Sequence, residues 1–508
     1  MNKTPQLPSE VELFAAANRA VADAIDKLIA LTPDVQLAQL EATIALDARE
    51  IARRLLQGRL NLLTQRERLA AAAPPSMGPT ARFRSISRSM RSTLGLVSLT
   101  RLSWSQGAVN DNVIPLDCAL NVVPERSTLA VRRMVAEHVA DVSFDRALAQ
   151  LQKQGIAVPK RQAEQDVVQI AMDYEDFYAW ARSPLDTPKV PNETLLVMSV
   201  DSKGVRVTFE GLRPDTQREA QDAASRPRGD PMGQRKERTH DRRMAVVAAV
   251  WDQTPAVRTA EVMIDGLKPK DQRKFLPQAS ALPKPQNKRV WTSVGEGMSG
   301  MVQRVFDEAE QRDPLHKRRW VVLIDGAVDQ REAVLSEAKR RGVRVTVVTD
   351  IIHVIHYLWV AGKALHDGSE PATELWVRST VEKLLTRDVY GVVSGLRQSA
   401  TKRGLGSKQR AEVETCAKYL EHRGSTLKYS EALSAGLPIA TGVIEGACRY
   451  LVQDRMGITG ARWTVPTAEA VLRIRALIAS DHWDPYLRFH QQQEHTRNHS
   501  ILPVVEAA

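Results

Sequence analysis

Apolar residues recur at helical spacing from residue 9 to about 72, predicting two amphipathic, Ala- and Leu-rich helices broken near Leu31-Thr32-Pro33. The second, around EATIALDAREIARRLLQGRLNLL, reads as a core helix or a dimer helix, and AAAPPSMGPT after it as a linker. LGLVSLTRLSW then alternates like a strand and leads through turn residues to PLDCAL. Helical periodicity resumes in STLAVRRMVAEHVADV, SFDRALAQLQKQG and VPKRQAEQDVVQIAMDYEDFYAWA. The last two have a helix-turn-helix outline: Ser143 can cap the first, Gly155 can end it in the left-handed region, and Pro159 suits the start of the second. That second helix opens on Lys160, Arg161 and Gln162, so Lys160 and Arg161 are candidate DNA contacts.

From Thr194 the period changes. TLLVMSVDSKGVRVTF, MAVVAAVWD and TAEVMI predict three strands. A helix, EGMSGMVQRVFDEAEQ, precedes strand RRWVVLID, helix DQREAVLSEAKRRG and strand VRVTVVTD. Three strands followed by a βαβ unit predict an α/β fold with a mixed, helix-flanked sheet. Residues 351–435 show no strand alternation and read as a helical insertion before a further helix from Thr441. The expected organisation is an N-terminal helical region (1–75), a mainly helical DNA-binding region (76–190), a catalytic core (191–350 and 436–480) interrupted by the insertion (351–435), and a tail (481–508) in which His490, His495 and His499 read as frayed and polar.

Composition narrows the function. The formal net charge of +11 points to a polyanionic partner such as nucleic acid. Arg82, Arg84, Arg88, Arg91 and Arg101 cluster without an acid among them. Lys268, Lys270, Arg273, Lys274, Lys284, Lys288 and Arg289 face only Asp271. Both stretches read as solvated linkers or as flexible phosphate-contacting segments. No stretch of apolar residues is long enough to span a bilayer, and MNKTPQLPSEVELF lacks a signal-peptide core, so a soluble cytoplasmic protein without membrane contact is expected. Cys118, Cys416 and Cys448 form no CxxC pair, which argues against a structural zinc site. There is no GxxxxGK[ST] sequence to cradle a nucleotide.

Three acids carry the chemistry. Asp201 interrupts a hydrophobic strand, Asp325 ends another in VVLIDG, and Glu445 sits in the first turn of a helix. A carboxylate among apolar strand residues is costly unless it is paired or holds a metal. Their order (first strand, strand after a helix, later helix) is the layout of an RNase H-like metal site. Two Mg²⁺ (or Mn²⁺) ions about 4 Å apart need hard oxygen ligands, and a first-turn Glu also faces a positive helix end.

LLVMSVDSKGV, RRWVVLIDGA, VTDIIHVIHYLW and IEGACRYLVQDRMGITGARWTVPTAEAVLRIRAL, with VIPLDCALNVVPE upstream, resemble bacterial insertion-sequence transposases of the IS-Kra-four family, which carry a Mutator-like DDE domain. The resemblance covers residues 95 to 490 in blocks and is most specific at VIEG…DRM…GARW. It implies a catalytic and metal-holding triad of Asp201, Asp325 and Glu445, and a helical insertion between the second Asp and the Glu. It implies an Asp350–His353 element as well, with Asp350 the alternative second ligand. His353 and His356, three apart, read as orienting or packing groups or as zinc ligands. The implied activity is binding of terminal inverted repeats, metal-dependent cleavage and strand transfer by a homo-oligomer. A nuclease without strand transfer and a transposase-derived DNA-binding protein stay open. Within this reading Arg449 shares the Glu445 face and reaches the scissile phosphate, while Arg455 and Arg462 suit backbone phosphates. Trp463 serves as a base-stacking platform or as core, and Lys203 as a phosphate contact or a solvated turn residue.

Overall fold

A computed structural model describes residues 8–70, 74, 77, 81–106, 112–181, 190–225, 241–266, 283–440 and 442–499. The chain divides into two compact units, Met1–Tyr178 with His482–Ala508, and Ala179–Asp481.

In the first unit, helices Ala15–Ile29 and Leu37–Ala70 form as the periodicity predicts, with the break at the Thr32-Pro33 turn. Strands β1 (Arg82–Ser92) and β2 (Gly95–Ser105) make an antiparallel hairpin whose inner residues Met90, Val97 and Leu99 pack with Leu60 and Leu116. The arginine-rich segment is therefore a strand and not a linker. Arg101 is buried against Asp117 at 2.7 Å, and Arg88 donates to the carbonyls of Pro124 and Glu125. Only Arg82 and Arg84 of that cluster are fully exposed. Helices Leu129–Asp141, Phe144–Lys153 and Lys160–Ile170 pack around Val131, Val135, Val139, Ala147, Leu151, Ala163 and Val167.

The expected frayed tail is instead the helix Trp483–His499, with Trp483, Tyr486, Phe489 and His490 buried. His490 Nδ1 stands 2.6 Å from Asp173 Oδ2, and Arg497 holds the other oxygen of that carboxylate. Arg132, 1% exposed, meets Glu125, Asp166 and Glu494. The pairs that hold this helix, His490 and Arg497 with Asp173 and Glu494 with Arg132, join residues more than 300 positions apart, so local polarity is a poor guide to burial here.

The second unit is built on a five-stranded sheet in the order β5-β4-β3-β6-β7, from β3 (Leu195–Arg206), β4 (Arg242–Gln253), β5 (Gln286–Ser293), β6 (Trp320–Ile324) and β7 (Val345–Thr349). β5, β4 and β3 run antiparallel in sequence, while β3, β6 and β7 are mutually parallel. This is the expected mixed α/β architecture. The two central strands bury both faces: Leu195–Val200 of β3 and all of Trp320–Ile324 are buried, as parallel strands between helices require.

Two elements differ from the sequence reading. TAEVMI is not a strand; Thr259 accepts a bond from the Val262 N–H and starts the short helix Ala260–Gly266. A short apolar run fits either period, and the cap decides it. The third strand is β5, inside the basic run, where Arg289 is buried against Glu308 and the Trp291 ring. Lys268, Lys270, Arg273 and Lys274 lie outside the described residues, as does Thr441.

After β7 come helices Ile351–Leu365, Glu370–Thr386, Val389–Lys402, Ser407–His422 and Tyr429–Ser434, matching the expected insertion. Asp350 caps the first by accepting from Ile352 N. The chain returns beside its start: Ile351 N donates to Ile439 O at 2.9 Å. Among the described residues no helix is long and apolar enough to cross a membrane.

Candidate functional site

Two of the predicted acids stand side by side. The parallel register of β3 and β6 ends at Ser199 and Leu323, and two residues further on each strand come Asp201 and Asp325. The register of β6 and β7 ends at Ile324 and Thr349, which brings Asp350 to the same edge, its N–H donating to Ile324 O at 2.7 Å. Asp325 and Asp350 thus follow the C-terminal ends of β6 and β7, and Asp201 lies level with them in β3, just past the part of that strand paired with β6.

Gln330, fully buried in the first turn of helix Val328–Arg341, ties the two central ends together. Its Oε1 accepts from Asp325 N at 3.0 Å and its Nε2 donates to Val200 O. Sequence reasoning missed it; a Gln five residues after a strand-end Asp, where a helix begins, is the available signal. Gly326 takes φ +92°, and a Cβ there would stand 2.5 Å from Arg423 Nε. Arg423 donates to Gly326 O, and Tyr419 Oη donates to Asp325 O at 2.8 Å. Arg423 lies over the Tyr419 ring, which stacks on Tyr357 at 3.8 Å. The helical insertion therefore grips the backbone that presents Asp325.

Both carboxylates accept hydrogen bonds from nearby groups. Asp201 Oδ1 accepts from Ser202 N, and Oδ2 accepts from the Cys448 thiol at 3.2 Å. Asp325 Oδ1 accepts from Ala327 N at 2.7 Å. Burial pushes the Asp325 carboxyl above its ordinary value, and the Asp201 charge adds to this, with His353 opposing. Among the described residues neither acid has an ion pair to a Lys or Arg.

Glu445 is exposed in the short helix Gly442–Ala447. That helix runs straight into a π-helical segment, Cys448–Gln453, and Arg475 donates to the Tyr450 and Leu451 carbonyls. Such π segments recur at functional sites because the wider turn re-aims side chains. Here it begins at Cys448, whose buried thiol touches Asp201. Burial, then the Asp201 charge, pushes that thiol up, and Glu445 also contributes. Cys448 therefore links the Glu445 helix to the Asp201 strand, a contact that the sequence reading did not foresee. Among the described residues no group of three His, Cys, Asp or Glu side chains is drawn together closely enough to hold a metal ion. The donor set is nevertheless of the hard carboxylate type that suits Mg²⁺ or Mn²⁺.

The predicted phosphate contacts separate into two groups. Lys203, Arg449 and Arg462 are exposed, Arg449 with a 3.7 Å pairing to Asp454. Arg455 and Trp463 are not surface groups. Arg455 is 2% exposed with its guanidinium 4.7 Å from the Trp463 ring centre, and Trp463 is buried, donating to Met456 O. The backbone of Trp463 bonds to Arg206 O and Thr208 N, fixing it beside the end of β3. Both therefore belong to the packed interior, where the Arg455 guanidinium lies over the Trp463 ring. In the other unit Lys160 is exposed and paired with Asp145 at 2.8 Å, and Arg161 is exposed. Ser143 caps its helix and Gly155 takes φ +75°, as expected for the turn. His356 is exposed and His353 half-buried, without a cysteine partner.

Compared with protein-family models and with curated proteins, the chain matches none.

Proposed function

We propose that this chain is a DDE-type DNA transposase with an RNase H-like core, cleaving DNA at element ends and joining the freed 3′ end to target DNA. The observation that carries this reading is the pair Asp201 and Asp325 on adjacent parallel strands, with Asp201 tied through Cys448 to the helix of Glu445. The strand order, three antiparallel strands followed by two parallel ones, supports it.

In this reading Asp201, Asp325 and Glu445 hold two divalent ions, with Asp350 the alternative to Asp325. Bound there, the ions supply Lewis acidity to a scissile phosphate. The chain itself does the positioning. Gln330 fixes the spacing of the two Asp-bearing strands, and Tyr419 and Arg423 fix the loop behind Asp325. Lys203, Arg449 and Arg462 present cations to the phosphodiester backbone, with Lys160 and Arg161 contacting the terminal repeat. The partner is double-stranded DNA, and the active form is a homo-oligomer in the bacterial cytoplasm.

The test is a strand-transfer assay with Mg²⁺ or Mn²⁺ and oligonucleotides carrying the element's ends. Joined products that vanish in Asp201→Asn and Glu445→Gln, with DNA binding retained, support the proposal. Nicks without joining identify a structure-specific nuclease, and binding without chemistry identifies a transposase-derived DNA-binding protein. Cleavage surviving both substitutions refutes the site.

A further inference from the structure

The strands that end in Asp325 and Asp350 begin at a basic cleft. Arg319 immediately precedes β6 and Arg344 immediately precedes β7. Because Trp320 pairs with Val345, the two arginines fall at neighbouring register positions, one strand spacing of about 4.8 Å apart. Both are exposed; Arg319 makes one bond, to Thr346 Oγ1 at 3.3 Å. They line a cleft of about 730 Å³ together with His316, Arg318, Trp320 and Thr346.

Arg318 makes the cleft more than a charged rim. Its side chain is 3% exposed and anchored by Asp252 and the carbonyls of Thr194 and Leu195, yet its Nη1 has no hydrogen-bond partner among the described residues. Arg318 thus forms a fixed wall of the cleft behind the two exposed arginines, its charge held by Asp252. His316 Nε2 stands 4.0 Å from Glu310 Oε1. Arg340 and Arg341, just before the cleft's Gly342, are already committed to Glu337, Asp307 and Glu310.

We propose that this cleft is a second nucleic-acid contact, binding the phosphodiester backbone of duplex DNA through Arg319 and Arg344. It lies at the opposite end of β6 from Asp325, roughly 20 Å away for six extended residues, so it engages a segment other than the one at the acids. It goes beyond the reading of the acids and holds whether or not they cleave DNA. Phosphate is favoured over an acidic protein partner because the cleft offers planar, fork-shaped donors and no exposed aromatic anchor, Trp320 being 2% exposed.

The experiment measures binding of the full chain to a short duplex of arbitrary sequence, without divalent ions, over a range of salt. Arg319→Ala/Arg344→Ala should weaken binding roughly tenfold near 0.1 M salt and flatten the log–log salt slope by about 1.8, two phosphate contacts' worth. Arg319→Lys/Arg344→Lys should restore most of the slope. An unchanged slope in the Ala pair with an unaltered melting profile overturns the proposal. So does equal competition by polyglutamate and duplex, which would make the cleft a site for acidic protein.

Discussion

Gln330 Oε1 accepts the Asp325 N–H at 3.0 Å while the other end of the same amide donates to the strand carrying Asp201. One side chain thus sets the separation of two carboxylates that repel each other. Gln330→Leu should cost roughly 2–4 kcal/mol, because two buried backbone groups lose their partners. Urea unfolding checks this, and a loss under about 0.5 kcal/mol would show the staple to be dispensable.

Asp325 is held against its own preference. Burial and the neighbouring Asp201 charge both disfavour its ionised form. Asp325→Asn keeps an acceptor for Ala327 N and removes the repulsion, so it should stabilise the fold by on the order of 1 kcal/mol at neutral pH. The expected readout is a higher Tm with DNA cleavage lost. A lower Tm would mean that the carboxylate has a stabilising partner in solution.

Glu308 contributes to the acid limit of the second unit. Burial alone would raise its carboxyl, but Arg289 and Arg312 outweigh burial and hold it at about 2, against an ordinary 4.5. Between those values the unfolded chain binds the extra proton, so this contribution is complete above pH 4.5 and drains away as pH falls towards 2. Glu308→Gln should lower stability at pH 7 and flatten its dependence on pH across that window, by on the order of 1–3 kcal/mol. Tm measured from pH 7 downward in both proteins decides it, and parallel curves would exclude the assignment.

The C-terminal helix is an integral part of the first unit. His490→Ala leaves Asp173 with Arg497 alone and should cost roughly 1–3 kcal/mol. Ending the chain at Asp481 removes the Glu494 partner of buried Arg132 and the apolar face of Trp483, Tyr486 and Phe489. Limited proteolysis should then degrade residues 8–178 first; a resistant N-terminal fragment would contradict this.

The sequence revealed most where burial and period agree. LLVMSV and WVVLI are apolar on both faces, so their strand character and the acids at their ends were visible in one dimension. β1 was obscured because its outward positions are arginines and serines, and β5 because Arg289 is satisfied by Glu308, a partner on another element. Arg455 reads as a phosphate contact, and Trp463 as either stacking platform or core, because their mutual stacking leaves no trace in spacing. Gln330 and Cys448 went unrecognised for the same reason, since both act through contacts with a distant strand.

Tyr419 and Arg423 hang on the two peptide groups immediately behind an acid of the candidate site, and they come from the helical segment inserted between two parts of the same sheet unit. The insertion is thereby an anchor as well as a spacer: the segment that separates Asp325 from Glu445 along the chain also fixes the peptide groups from which Asp325 projects.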